Sequence, residues 1–235
     1  MAGVKRPVVV GAVAGVVAAV ALGGGAAWLL LSSHHAPPDL ALSSTRPSGP
    51  TAALAGTWTV ASGSQVGYRA REKFIDQAST TEAVARTSDL KGSLVVAVDG
   101  TTVKVTRMTF TVNLASLVSQ DRYANYQVYQ RDFFVRTVYL QTDVFPTATF
   151  TAGALSFPLP AAGALSVDVN GKLAVHGETR DVTAHVQATA SGAQAEVAGT
   201  INVDMRNFGI EPPDISFTKA EPAVTIEFDL KLVHA

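Results

Sequence analysis

Val224-Thr225-Ile226-Glu227-Phe228-Asp229-Leu230-Lys231-Leu232 alternates without a break between apolar and polar side chains. Successive Cβ atoms of an extended chain point to opposite faces, so this period of two predicts a strand with one oily and one wet face. The same alternation runs through Ala193, Ala195, Val197, Gly199, Ile201, Val203 and Met205 against Gln194, Glu196, Thr200, Asn202, Asp204 and Arg206, and predicts a second, longer strand. Leu165, Val167, Val169, Leu173 and Val175 form a third, and Val182, Ala184, Val186 and Ala188 a fourth, with turn chemistry at Gly177-Glu178-Thr179 between them. Towards the N-terminus the pattern loosens but persists, at Trp58 and Val60, Val66 and Tyr68, Leu94 to Val98, and Met108 to Leu114.

Eight or nine strands with short connections and one apolar face each predict antiparallel pairing around a single interior, because parallel strands buried on both faces read as unbroken apolar runs. The fold class is therefore all-β, a barrel or a sandwich. Ala184, Ala188, Ala193, Ala195 and Gly199 fall on inward positions. With so many small residues a closed sheet of about eight strands leaves room for one ligand. Leu117 to Val144 breaks the pattern: Tyr123, Tyr126, Tyr129 and Phe133 carry a helical spacing, expected to form a short helix that serves as a lid or as a plug of the barrel end.

Residues 7–31 contain no charged side chain and would form a helix of roughly 37 Å, longer than a hydrocarbon core of about 30 Å. Lys5 and Arg6 precede it, which predicts a short cytoplasmic N-terminus (1–6), a single-pass transmembrane anchor (7–31) and everything later on the extracytoplasmic side of the cell membrane. The apolar run exceeds the length usual for a cleaved signal peptide. Residues 32–53, with Pro37, Pro38, Pro47 and Pro50, show no periodicity and are expected to be a linker, leaving 54–235 as the exported domain.

A net charge of -1 gives no field that would gather nucleic acid, and the absence of cysteine removes thiolate chemistry and iron-sulfur clusters. No nucleotide-binding or serine-hydrolase fingerprint occurs, and Gly23-Gly24-Gly25 belongs to the apolar segment. His176 and His185 lie on polar strand faces and are expected to be solvated, with no metal-ligand spacing. Arg131-Asp132 and Asp204 with Arg206 are read as ion pairs or turn-stabilising hydrogen bonds at the barrel ends. Neither catalysis nor a cofactor is expected.

Four motifs in order carry a resemblance. They are Gly56-Thr57-Trp58 with Ser64-Gln65-Val66; Arg131-Asp132, Tyr139-Leu140 and Phe145-Pro146-Thr147-Ala148-Thr149-Phe150; Gly171-Lys172-Leu173 continuing to Gly177-Glu178-Thr179-Arg180-Asp181-Val182; and Arg206-Asn207-Phe208-Gly209-Ile210. From about Leu54 to its end the chain resembles the YceI-like, polyisoprenoid-binding proteins. It departs from their pattern at Phe134-Val135, where His-Leu is usual. The resemblance implies a lipocalin-like antiparallel barrel whose apolar lumen holds a long-chain isoprenoid or related lipid, an isoprenoid quinone included, for transport or storage in the periplasm or its equivalent. By parity Phe110, Val112, Phe150, Met205, Ile226 and Phe228 are expected to face that lumen, with Tyr68 beside them and Phe134, Tyr139 and Phe208 near the mouth. The competing expectation is an exported structural or protein-interaction module whose barrel is filled by its own side chains. A homodimer is left open.

Overall fold

The computed structural model describes residues 35–43, 54–75, 78–122, 128–158, 164–215 and 217–235. β1 (Gly56–Val60) and β2 (Gln65–Phe74) both run antiparallel to β13 (Thr218–His234), Trp58 facing His234 and Phe74 facing Thr218. They act as one long strand interrupted at Ala61 to Ser64. The buried Ser64 fills the gap with its side chain, its hydroxyl donating to the Ala61 carbonyl at 2.8 Å and accepting from the Lys231 amide at 2.9 Å. This is the physical content of the Ser-x-Val motif.

β3 (Thr81–Thr87) pairs with β2, and β4 (Leu90–Asp99) with β1, so these also occupy one position in the wall. The ladder continues through β5 (Thr102–Asn113), β7 (Thr147–Ala152), β9 (Leu165–Val175), β10 (Glu178–Ser191) and β11 (Gln194–Asp204) back to β13. The result is a closed antiparallel barrel with eight strand positions. Short strands β6 (Val118–Ser119), β8 (Leu155–Pro158) and β12 (Asp214–Ile215) extend β3, β5 and β13 beyond the ring. Pro222 sits where the β13 register slips between Ala220 and Val224, a position where its missing N–H leaves no gap in a regular ladder.

One end of the barrel is sealed by Trp58, 2 % exposed, packed with Leu230 and Leu232. Its indole N–H donates to the Leu54 carbonyl at 2.9 Å. Over the other end lies α1 (Val128–Phe134), running on into a π-helical turn from Val135 to Tyr139.

The wall is thinned where large rings need space. Phe228 faces Gly199 across the β11–β13 ladder, and a Cβ at 199 would collide with the His185 carbonyl oxygen and come within 2.8 Å of the Phe228 ring. Gly199→Ala is therefore expected to destabilise the barrel by about 1–3 kcal/mol, read as a lower denaturant midpoint. An unchanged midpoint would show that the wall relaxes freely at this point.

Several expectations from sequence are corrected. β11 stops at Asp204, because the Asp204 carboxylate accepts from the Arg206 amide at 2.9 Å and starts a 3-10 turn (Met205–Phe208); Met205 is thus a turn residue, not a strand residue. His176 is not a solvated side chain. It holds a left-handed backbone (φ 52) in the β9–β10 turn, its ring edge-on to Phe145 at 4.8 Å and its Nδ1 3.0 Å from the Phe208 carbonyl. His185 is exposed beside Asp168.

In the helical segment, Tyr123, Tyr126 and the side chain of Tyr129 lie outside what is described, and the described helix is Val128–Phe134. The side that meets the barrel carries Arg131, Phe134, Val135 and Val138, while Phe133 is exposed. The buried ion pairs of Arg131 set this orientation.

The linker expectation also changes over its described part. Residues 35–43 cross the outside of the barrel: Pro38 accepts from Arg86 on β3, Pro37 from Arg69 on β2 at 2.7 Å, the Leu40 amide donates to Glu227 on β13 at 3.1 Å, and Ser43 donates to Glu196 on β11 through its amide and its hydroxyl. Beneath it the supposedly wet face of β13 is dry at Glu227, 1 % exposed, held by Arg69 and Arg86 at 2.8 Å each. A carboxylate removed from water needs several donors. The crossing segment supplies one and shields the rest.

Among the described residues no helix is long and apolar enough to cross a membrane; the 7–31 segment lies outside them.

Candidate ligand-binding cavity

Inward parity on the barrel strands and the underside of α1 enclose a cavity of about 690 Å³, within the usual range of roughly 300–1,000 Å³ for small-molecule sites. The barrel is not filled by its own side chains. All ten residues expected from sequence to meet a ligand stand on this wall. Phe110, Val112 and Phe150 come from the neighbouring strands β5 and β7, Phe110 facing Phe150 across the ladder. Ile226 and Phe228 come from β13 and Tyr68 from β2, where Tyr68 faces Ile226. Met205 and Phe208 rise from the 3-10 turn, Phe208 packing with Tyr139, Leu173 and Ile210. Phe134 lies at the rim, half in the cavity and half exposed.

Around that rim the surface stays apolar. Phe134 and Val138 of the helical segment, Ile215 of β12 and Phe217 are all exposed and all border the opening. Exposed apolar groups grouped at a cavity mouth mark a place where an apolar ligand or an apolar surface is met.

Sequence reasoning missed the polar end of the cavity. Arg131 and Glu72, 8 % and 7 % exposed, both reach the wall and pair at 3.0 Å. Arg131 also donates to the Ser119 hydroxyl at 2.8 Å and to the buried Asp121 carboxylate. Asp121 in turn accepts from the Val84 amide at 3.0 Å, and Asp132 holds Ser119 through its amide and hydroxyl. The Arg131-Asp132 pair is thus not a mutual ion pair: the two side chains turn to different partners around Ser119.

Burial pushes the Glu72 carboxyl above the ordinary carboxylate range, offset only in part by the Arg131 charge. Enclosure likewise pushes the Tyr68 phenol upward, so it stays a neutral hydroxyl. The signal for Glu72 was present in β2, where Val66, Tyr68, Ala70 and Glu72 share one parity and so share the inward face. Among the described residues no three His, Asp or Glu side chains are placed to hold a metal ion.

The YceI-like domain model matches residues 58–232. Among solved structures, a polyisoprenoid-binding domain from Saccharophagus degradans implicated in plant cell wall breakdown aligns with a TM-score of 0.54 at 14 % identity, covering 77 % of this chain and 99 % of that one. Burkholderia cenocepacia BcnA aligns at 22 % identity and a TM-score of 0.49 (72 % and 95 % covered), and a Campylobacter jejuni YceI protein at 14 % and 0.46 (68 % and 90 %). No curated protein matches. The first of these likenesses shows a common barrel. With a family model matching most of its length, this chain belongs to the YceI-like domain family.

Proposed function

We propose that this chain is a membrane-tethered, extracytoplasmic lipid-binding protein that carries or stores a polyisoprenoid-type lipid, an isoprenoid quinone included, without catalysing a reaction. The observation that carries the reading is the cavity, deep, about 690 Å³ and almost wholly apolar, closed at the Trp58 end and open at an apolar rim. A long hydrocarbon gains about 0.8 kcal/mol per buried CH₂, so such a lumen binds by chain length and girth. The polyisoprenoid-binding domain whose fold is similar supports the choice of lipid class. The uncharged stretch 7–31 behind Lys5 and Arg6 supports the tether and the side of the membrane.

Native mass spectrometry of the full chain, extracted in mild detergent from cells that make isoprenoid lipids, tests this. A discrete added mass that resolves on extraction into a prenyl series is expected. A chain that is always empty and refuses added prenyl lipids would overturn the reading.

A further inference from the structure

At the mouth end the apolar wall is interrupted by charge, and the sign of that charge is informative. One guanidinium, Arg131, faces two buried carboxylates, Glu72 and Asp121. With Glu72 ionised the trio carries a net negative charge; with Glu72 protonated it carries none. In neither state is positive charge left over. Both terminal nitrogens of Arg131 are already engaged, Nη1 with Glu72 and Nη2 with Ser119 and Asp121. The planar two-nitrogen edge by which arginine usually grips a phosphate or carboxylate is therefore not on offer.

What the corner keeps is hydrogen-bonding capacity without a partner. The Nε–H of Arg131 is buried and has no partner among the described residues. The same is true of the hydroxyl of Thr218, itself 8 % exposed. Thr218 pairs with Phe74 at the start of β13, and Ala220, two residues on, pairs with Glu72, so both residues belong to one end of the cavity wall, their orphaned atoms lying just beneath its surface. Buried polar atoms without partners are rare and call for an explanation such as an absent ligand. A donor from Arg131 and a donor or acceptor from Thr218 suit a carbonyl or an alcohol.

We propose that the Arg131–Glu72–Thr218 corner is the headgroup site of the cavity and that it selects an uncharged, hydrogen-bonding lipid head over a phosphate or carboxylate. The inference rests on the lipid-binding reading and adds the chemical class of the cargo. An anionic head would be stripped of water beside carboxylates that already take up the Arg131 charge, whereas a neutral head needs no counter-charge and completes the two unsatisfied groups once their side chains rotate towards it.

The test uses chain-matched probes, geranylgeraniol and geranylgeranyl monophosphate, titrated into the full chain in one detergent, with binding read by native mass spectrometry. Comparing the same two probes across variants cancels their different partition into detergent. The alcohol is expected to bind at least about tenfold more tightly than the phosphate. Glu72→Gln, which keeps an acceptor for Arg131 but removes a negative charge, is expected to shift the alcohol-to-phosphate ratio towards phosphate by about tenfold or more. Thr218→Val, nearly the same in shape, is expected to weaken the alcohol about fivefold and leave the phosphate unchanged, at unaltered thermal stability.

Equal or tighter binding of the phosphate by the native chain would overturn the proposal, as would a ratio indifferent to Glu72→Gln in a folded protein. In either case the lipid reading itself would stand. If neither probe binds at all, it is the lipid reading that fails, and the headgroup site goes with it.

Discussion

Glu227→Ala is expected to lower the unfolding free energy by about 3–5 kcal/mol, the usual consequence of deleting one partner from a buried charge cluster. Glu227 joins Arg69 and Arg86 at 2.8 Å each and accepts from the Leu40 amide. Without it Arg69 keeps Glu82 and Asp39, both far more exposed, while Arg86 keeps the Pro38 carbonyl and loses its carboxylate. The crossing segment 35–43 loses the contact at its centre, so faster proteolysis within it should accompany the fall in denaturant midpoint. Combining Glu227→Leu with Arg86→Met is expected to recover much of the loss, since fewer charges are then stranded. A loss below about 1 kcal/mol for Glu227→Ala would mean that the cluster behaves as a solvated surface pair.

The same carboxyl makes a prediction in pH. Burial alone would raise its pKa, but the hydrogen bonds from Arg86, Arg69 and Leu40 outweigh burial and hold it below the ordinary carboxylate range. A folded value below the unfolded one means that the stabilisation is complete above the unfolded value, near about 4.3, and is lost as pH falls through the lower folded value. The stability of the native chain should therefore drop more steeply in that acid window than that of the double variant, which has no carboxyl at position 227 to titrate.

The lumen was readable because barrel closure turns strand parity into geometry. Once Val224 to Leu232 is a strand of a closed sheet, Ile226 and Phe228 must face inward, and every residue of that parity on β13 from Val224 to Leu230 reaches the cavity wall. Three things were not readable in this way. Glu227 carries the pattern of an outward, solvated residue, and only the segment laid across it from far upstream makes it buried; no local period encodes a contact between residues 40 and 227. Met205 continues the alternation of β11, yet the Asp204 side chain bonding to the backbone two residues on competes with the ladder and ends the strand. The Arg131-Asp132 pair shows two opposite charges side by side in sequence, although neighbours on a helix point apart and each finds its partner on β2 or around β6 instead.

Phe228→Asp is expected to empty the cavity while leaving the barrel folded. The ring lies midway along β13 on the inward face, against Gly199, in contact with both the Trp58 cluster and the central wall. In the lumen a carboxylate at this position can draw in water. Threading a hydrocarbon past it removes that water with no donor to replace it, and the contacts of the ring are lost as well. The combined penalty of about 3–4 kcal/mol amounts to a loss of roughly 150- to 1,000-fold in affinity. Phe228→Leu, which keeps an apolar side chain, is expected to cost less than about tenfold. Phe133→Asp provides the control, because Phe133 is exposed on α1 and contributes nothing to the cavity wall. Lipid content by native mass spectrometry, read beside the thermal midpoint, separates the cases: retention in a folded Phe228→Asp protein would remove Phe228 from the ligand contact. Equal losses in Phe133→Asp and Phe228→Asp would show that the loss does not come from the lumen contact of Phe228.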